Sequence, residues 1–339
     1  TQGKTVSKAN PNATIVDIAR RARVTNITVS RAFNKPELVK PETRERIHAI
    51  AKELNYVPNA FAQGLKSSSS QIIGIVTSSM YNPFYSGLIK TVSRIARQQG
   101  YQIMLFDTDG SEEAEMRAIQ ALFGYKARGI LLSAVRDDKR YRPAYLELAE
   151  VYGVPLILID RDLYDQQLSG VFLDNREIGV LAGRYLAEQP EQKLLIIGGP
   201  ADSEITLTRT AGIVAALQGS GREIHIINGD YDFTSQESEV RAYLAQPENR
   251  PDYIIGLNGI ITLGAIAICH EMGLYQQVKF FSIDEPPRAG AYGLHIPGVY
   301  HDTQKLGEIA AELLFSAINS PRGELPVRRE FFTGSLLNR

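Results

Sequence analysis

Two periodicities divide the chain. Up to about residue 57, apolar residues recur every three or four positions. Ile15, Ile18, Ala19 and Ala22 do so in TIVDIARRA; Val29, Ala32 and Phe33 in VTNITVSRAFN; and Ile47, Ile50, Ala51 and Leu54 in KPETRERIHAIAKELNY. That spacing puts each set on one face of a helix. Thr14 can cap the first helix with Asp17 as its capping-box partner, Thr25 can cap the second, and Pro41 occupies a favoured first-turn position in the third. Only RVT separates the first two segments. Three short helices with so tight a turn predict a helix-turn-helix unit over residues 14–57, preceded by a flexible N-terminus at 1–13.

Beyond residue 70 the pattern becomes strand, then helix, repeated. The strand candidates are IIGIVT (72–77), QIMLF (102–106), GILLSA (129–134), PLILID (155–160), LLIIG (194–198), IHIING (224–229), YIIGL (253–257) and KFFSID (279–284). Nearly continuous apolar runs mark strands buried on both faces, hence parallel sheets covered by helices. Eight such units exceed one modest sheet. The fold class is therefore α/β: an all-helical head followed, over residues 71–339, by a core of two doubly wound parallel-sheet lobes with a cleft between them.

Charge sharpens this division. The first 70 residues hold 12 Lys+Arg against 5 Asp+Glu, a net of +7, so the remainder carries −8 of the overall −1. A basic head on an acidic body is the footprint of a chain whose head alone meets a polyanion, although charges also cluster on ordinary solvated faces. In a helix-turn-helix the second helix enters the major groove of double-stranded DNA. Its candidate readers are Asn26 for adenine, Ile27 for a thymine methyl and Arg31 for guanine or phosphate, with Thr28, Ser30 and Asn34 on the same helix and the cappers Thr14 and Thr25 beside them. The competing reading is a plain solvated helix face. Asn59 can cap a further short helix through Lys66, which Gly64 weakens by roughly 1 kcal/mol relative to alanine.

Ligands of open parallel sheets gather at the carboxyl ends of strands. There the sequence places Asn82, Phe84 and Tyr85, then Asp160 and Arg161, Ser203 and Arg209, Tyr231, Asn258, Asp284 and His301.

TIVDIARRARVTNITVSRAFN and LNYVPNAFAQGLKS closely resemble the DNA-binding head of the lactose-repressor/galactose-repressor (LacI/GalR) family of bacterial transcription regulators, and the similarity continues over nearly the whole chain. The resemblance implies a periplasmic-binding-protein-like core whose chain crosses between lobes more than once. Lobe one would hold about 71–172 and a helix near 303–319, lobe two about 173–299, and the last strands would cross back. It implies a hinge helix and linker at 58–70 that folds when two copies pair over the DNA minor groove, with Leu65 as the wedging leucine and Ala62 beside it. A plain flexible linker is the alternative. It also makes Arg209, Asp284 and Asn258 effector contacts.

Three departures from the family pattern matter. Arg23 stands in the turn after the first helix, where a positive φ would cost about 1 kcal/mol. Arg161 replaces an aromatic or small residue, and Gly259 replaces an aspartate. With Arg209, these changes suit an anion bearing hydroxyls. The expected effector is a sugar acid such as a gluconate or ketogluconate, then a sugar phosphate, then a neutral sugar; Arg161 paired with Asp160 or Asp162 is the competing reading.

Enzyme chemistry is poorly supported. IIGGP and GLNGIITLGA are neither G-x-G-x-x-G nor a phosphate loop, and no G-x-S-x-G elbow occurs. His48, His225, His270, His295 and His301 show no metal spacing, and Cys269 is the sole cysteine, so neither metal nor cofactor is expected. No apolar run reaches the roughly 18 residues that span a bilayer, and TQGKTVSKANPNATIV has no apolar leader core, so no membrane association and a cytoplasmic location are expected. The same reading disfavours a secreted sugar-binding protein. The expected molecule is a homodimer on a near-palindromic operator, repressing a carbohydrate operon under control of an effector acting as inducer or corepressor. REFFTGSLLNR shows no leucine heptads of a tetramerising tail.

Overall fold

The computed structural model describes residues 13–56, 70–165, 167–321 and 323–337. The chain forms two compact units, one ending at residue 68 and one running from residue 69.

The first unit holds α1 (Ile15–Ala22), α2 (Asn26–Asn34) and α3 (Pro41–Glu53). Thr14 and Asp17 make the capping box: the Thr14 amide donates to Asp17 Oδ2 at 2.9 Å, and the Asp17 amide to Thr14 Oγ1 at 3.3 Å. Thr25 caps α2 by accepting from the Thr28 amide at 3.2 Å. Ile18, Ala19, Ala22, Val29, Ala32, Ile47 and Ala51 close one small core, joined by Val39, with Phe33, Ile50 and Leu54 at its edge. Arg21 ties α1 to Glu53 of α3 at 3.0 Å. Arg23 adopts φ 54°, ψ 49°, the left-handed conformation, and sends its amide back to Ala19 and Arg20.

The second unit contains two six-stranded sheets. In chain order its elements are β1 (Ile72–Thr77), α4 (Pro83–Gln98), β2 (Gln102–Asp107), α5 (Glu112–Gly124), β3 (Gly129–Leu132), α6 (Tyr145–Tyr152), β4 (Leu156–Asp160) and β5 (Gly170–Leu173). There follow α7 (Asn175–Ala187), β6 (Lys193–Gly198), α8 (Glu204–Ala216), β7 (Glu223–Asn228), α9 (Glu237–Ala245), β8 (Tyr253–Gly256), α10 (Gly259–Glu271), β9 (Lys279–Ile283), β10 (Gly298–Tyr300), α11 (Thr303–Asn319), β11 (Arg329–Phe332) and β12 (Ser335–Leu337). Lobe one has the order β11-β5-β4-β3-β1-β2, and lobe two β12-β10-β9-β8-β6-β7. Every pairing is parallel except β10 with β12. The eight apolar runs each form a strand; in the six interior ones central residues such as Ile73, Leu131, Leu158, Ile196, Ile254 and Phe281 are fully buried, whereas the edge strands β2 and β7 are partly exposed.

The chain passes between lobes after β5, after β10 and after β11. The crossings lie together: the Asp174 amide donates to Phe332 O at 2.9 Å, and a Cβ on Gly334 would stand 2.7 Å from both Tyr300 O and the His301 ring. Helix α11 returns to lobe one and packs on α4, where Gly87 and Gly307 permit the close approach. Among the described residues, no helix is long and apolar enough to cross a membrane.

Candidate functional site

On the head, Asn26, Ile27, Arg31 and Asn34 are exposed, while Val29 and Ala32 of the same helix are buried. Ile27 is 64% exposed, an apolar side chain left outside a core that takes its neighbours. Thr28 turns its hydroxyl to Thr25 at 2.9 Å, and Ser30 accepts from Asn34 Nδ2 at 3.4 Å. The hydroxyls of Thr14 and Thr25 serve the helix caps. The exposed face of α2 therefore offers an amide and a branched methyl surface in its first turn and a guanidinium one turn later, which is the chemistry of base edges in a major groove. Asn59, Ala62 and Leu65 lie outside the described residues.

In the core, the carboxyl ends of the strands converge on a cleft. Lobe one lines it with Ser78, Ser79, Asn82, Phe84, Tyr85, Asp160 and Arg161; lobe two with Ile205, Arg209, Tyr231, Asp232, Asn258 and Asp284. Asn82 caps α4 through the Phe84 amide at 3.1 Å, and the following proline starts that helix, so Phe84 and Tyr85 are fixed at its first turn. Tyr85 donates to Asp160 Oδ2 at 2.6 Å, and its oxygen lies 2.7 Å from Ser133 Oγ. Asp160 and Asp284 each end a strand with φ 64°. Aspartate tolerates this left-handed conformation better than most residues, and its occurrence once in each lobe at the cleft aims two carboxylates inward.

The guanidinium groups are held differently. Arg209 is 2% exposed; its Nε donates to Asn175 Oδ1 at 2.8 Å, its Nη1 to Leu257 O at 2.5 Å, and Asp284 stands 3.7 Å away. Arg161 is 9% exposed and lies over the Tyr231 ring at 4.9 Å. Its Nη1 donates to the carbonyls of Ala134 and Val135 at 3.1 and 2.7 Å, while its Nε is buried with no hydrogen-bond partner among the described residues. Arg161 makes no ion pair with Asp160 or Asp162; Asp162 is taken by Arg329.

Burial pushes the Asp160 carboxyl above the usual carboxylate range, against the pull of Tyr85, Arg161 and Arg209. Asp232 is also raised, by burial and by Asp230. Asp284 goes the other way: burial alone would raise it, but His301 and Arg209 together draw it below the usual value.

Two expected cleft residues do not line it. Ser203 is buried beneath Tyr231, hydrogen-bonded to that phenol and to Asp137. His301 sits at the second crossing, behind Asp284, its Nε2 3.0 Å from Asp284 Oδ1 but out of hydrogen-bond alignment. Asn258 reaches the cleft with its side chain already engaged, capping α10 at Ile261 and donating to Tyr231 O. Sequence reasoning missed Ser78, Ser79 and Asp232 on the wall, although SS and NGDYDF follow β1 and β7 directly. It also missed Glu115, fully buried on α5, which accepts from the Val135 amide at 2.6 Å, Tyr145 at 2.7 Å and Tyr141 at 3.0 Å. Glu115 thereby anchors the segment whose carbonyls hold Arg161. Among the described residues, no group of three or more His, Cys, Asp or Glu side chains could hold a metal ion.

Residues 14–59 match the family model for bacterial regulatory proteins of the lacI family, and residues 70–285 the model for periplasmic binding proteins and the sugar-binding domain of the LacI family. The chain is 30% identical to the HTH-type transcriptional repressor PurR of Erwinia tasmaniensis, covering 92% of each chain. It is 29% identical to the ribose operon repressor of Escherichia coli K12, covering 91% of this chain and 94% of that one. Its fold is similar to that of the lac repressor dimer bound to operator and the anti-inducer ONPF, with a TM-score of 0.75, 22% identity and coverage of 96% and 98%.

Proposed function

The chain belongs to the LacI family of DNA-binding transcriptional repressors that respond to a small effector, and from that premise we propose that its effector is a singly charged sugar derivative, a sugar acid, held in the interlobe cleft. The observation that carries this reading is Arg161: a guanidinium 9% exposed, its Nε without a partner, beside the carboxylates that would accept hydroxyl protons. A buried donor left unpaired costs about 1–3 kcal/mol, and an anionic oxygen satisfies it better than a neutral one. Asp160, Asp232 and Asp284 outnumber the two guanidiniums on the wall. That excess of carboxylate penalises every added negative charge, so it ranks the single charge of a sugar acid ahead of the two of a sugar phosphate, while the carboxylates can accept from hydroxyls. Arg209, with Asn175, Leu257 and Asp284 already about it, would present a hydroxyl contact rather than the charge contact.

Two copies would read two half-sites of a near-palindromic operator through Asn26, Ile27 and Arg31, because one head makes few base contacts. Effector binding would change the closure of the lobes and, through the segment joining head and core, the pairing of the two heads on DNA.

Thermal-shift titration with gluconate-class acids, sugar phosphates and the parent neutral sugars tests this, since a ligand of the native state alone raises its unfolding temperature. A sugar acid is expected to give the largest rise. Arg161→Gln should weaken that ligand by about 2–3 kcal/mol, roughly 30- to 150-fold, and Arg161→Lys should recover only part because the flat fork is lost. A rise with neutral sugars that is indifferent to Arg161→Gln would overturn the assignment.

A further inference from the structure

Helix α8 begins after Ser203, a residue type that caps its own helix by accepting from an amide two or three residues on. Its hydroxyl does not do so here. It donates instead to Asp137 Oδ2 at 3.0 Å, and the Ile205 amide donates to the same oxygen at 3.0 Å. Asp137 belongs to lobe one, follows β3, and is 4% exposed. The N-terminus of a lobe-two helix is thus capped from the opposite lobe although a self-capping residue is in place. Two ion pairs flank the contact, Arg136 with Asp202 at 3.6 Å and Lys139 with Glu204 at 3.2 Å. Ser203 also bonds the Tyr231 hydroxyl, and the Tyr231 ring carries the Arg161 guanidinium.

When the lobes part, the Ser203 hydroxyl can turn onto the amides of its own first turn, and the Asp137 carboxylate returns to water. Each state then has its polar groups satisfied, which is what a two-state element requires. We propose that Asp137 is the clasp of the cleft: a positioning residue that holds lobe two shut over the effector site without touching the effector, and yields the α8 cap to Ser203 as the lobes open. The inference rests on the cleft being the effector site and adds how its affinity is set. The clasp fixes the fraction of effector-free protein already closed, and apparent affinity scales with that fraction.

The test uses the full chain with spin labels on the exposed Glu147 and Glu239 positions, one in each lobe, and reads interlobe distances by pulsed electron resonance without effector. Asp137→Ala is expected to deplete the short-distance population. Asp137→Asn, which keeps an acceptor oxygen, should retain most of it. Gluconate-class acids should bind Asp137→Ala roughly tenfold or more weakly, with recovery in Asp137→Asn. Lys139→Glu, an exposed change that sets like charges against Glu204, should shift the distances the same way and serves where Asp137→Ala does not fold. A lowered unfolding midpoint with unchanged distances in Asp137→Ala and Lys139→Glu would make Asp137 merely structural and overturn the proposal. Opening of the cleft in variants of a protein that binds none of the sugar acids would leave the clasp standing and remove the anionic effector instead.

Discussion

Arg23 shows how one residue can carry opposing demands. Its backbone is left-handed at φ 54°, a conformation glycine adopts freely and a residue with a Cβ does not. Arg23→Gly should therefore raise the stability of the head by roughly 1 kcal/mol, read as a higher urea midpoint for its unfolding. If the arginine is kept for phosphate, the same variant should bind operator more weakly, and with a shallower salt dependence. The strain was legible only through the family resemblance, because arginine stands where similar turns usually hold a small residue or asparagine. Asp160 and Asp284 were legible as strand-end residues, but their shared left-handed geometry was not, since nothing local marks an aspartate for a positive φ. Ser203 and His301 were placed in the cleft by the same strand-end rule. Each instead finds its partner behind the wall, through contacts that close only in three dimensions.

Among elements, the eight apolar runs announced themselves by their continuity, which in the interior strands β1, β3, β4, β6, β8 and β9 reflects burial on both faces, while the edge strands β2 and β7 remain partly exposed. Strands β5, β10, β11 and β12 did not: β10 and β12 have only three residues each, β11 and β12 at the sheet margins are only partly buried, and the buried four-residue β5 has no longer apolar run about it. The segment from Ser133 to Pro143 was likewise opaque, being polar and irregular, yet it holds Arg161 through two carbonyls and α8 through Asp137. Glu115, 20 residues earlier in sequence, fastens it at Val135. Glu115→Ala should leave an amide and two phenols without their acceptor and destabilise the core by about 2–4 kcal/mol. Chemical denaturation measures that loss, and effector titration should show a parallel fall in affinity as Arg161 loses its frame. A loss of stability with affinity intact would separate the anchor from the site.

At the scale of the molecule, the cleft ties acid sensitivity to the junction of the lobes. Asp284 has its carboxyl drawn down by His301 and Arg209 against the effect of burial. A folded value below the unfolded one means the proton binds the unfolded chain more tightly. The stabilisation is then present above the usual aspartate range, near pH 4, and is lost as pH falls through the lower folded value. The stability difference between the wild type and Asp284→Asn should be largest at neutral pH and should shrink below about pH 4. A difference that stays constant from pH 7 to pH 3 would detach Asp284 from the acid limb.

The late strands also govern the order in which the molecule can be made. Strand β5 pairs with β11, and residues 329–332 leave the ribosome long after residues 170–173. Until then, lobe one waits with one flank of its sheet unpaired, and lobe two likewise waits for β12 to cover β10. A nascent chain in this interval presents open edges to its neighbours on the polysome. A message ending before the codon for Arg329 would release a product with both edges bare, so the final strands of this regulator act as the seal on its synthesis.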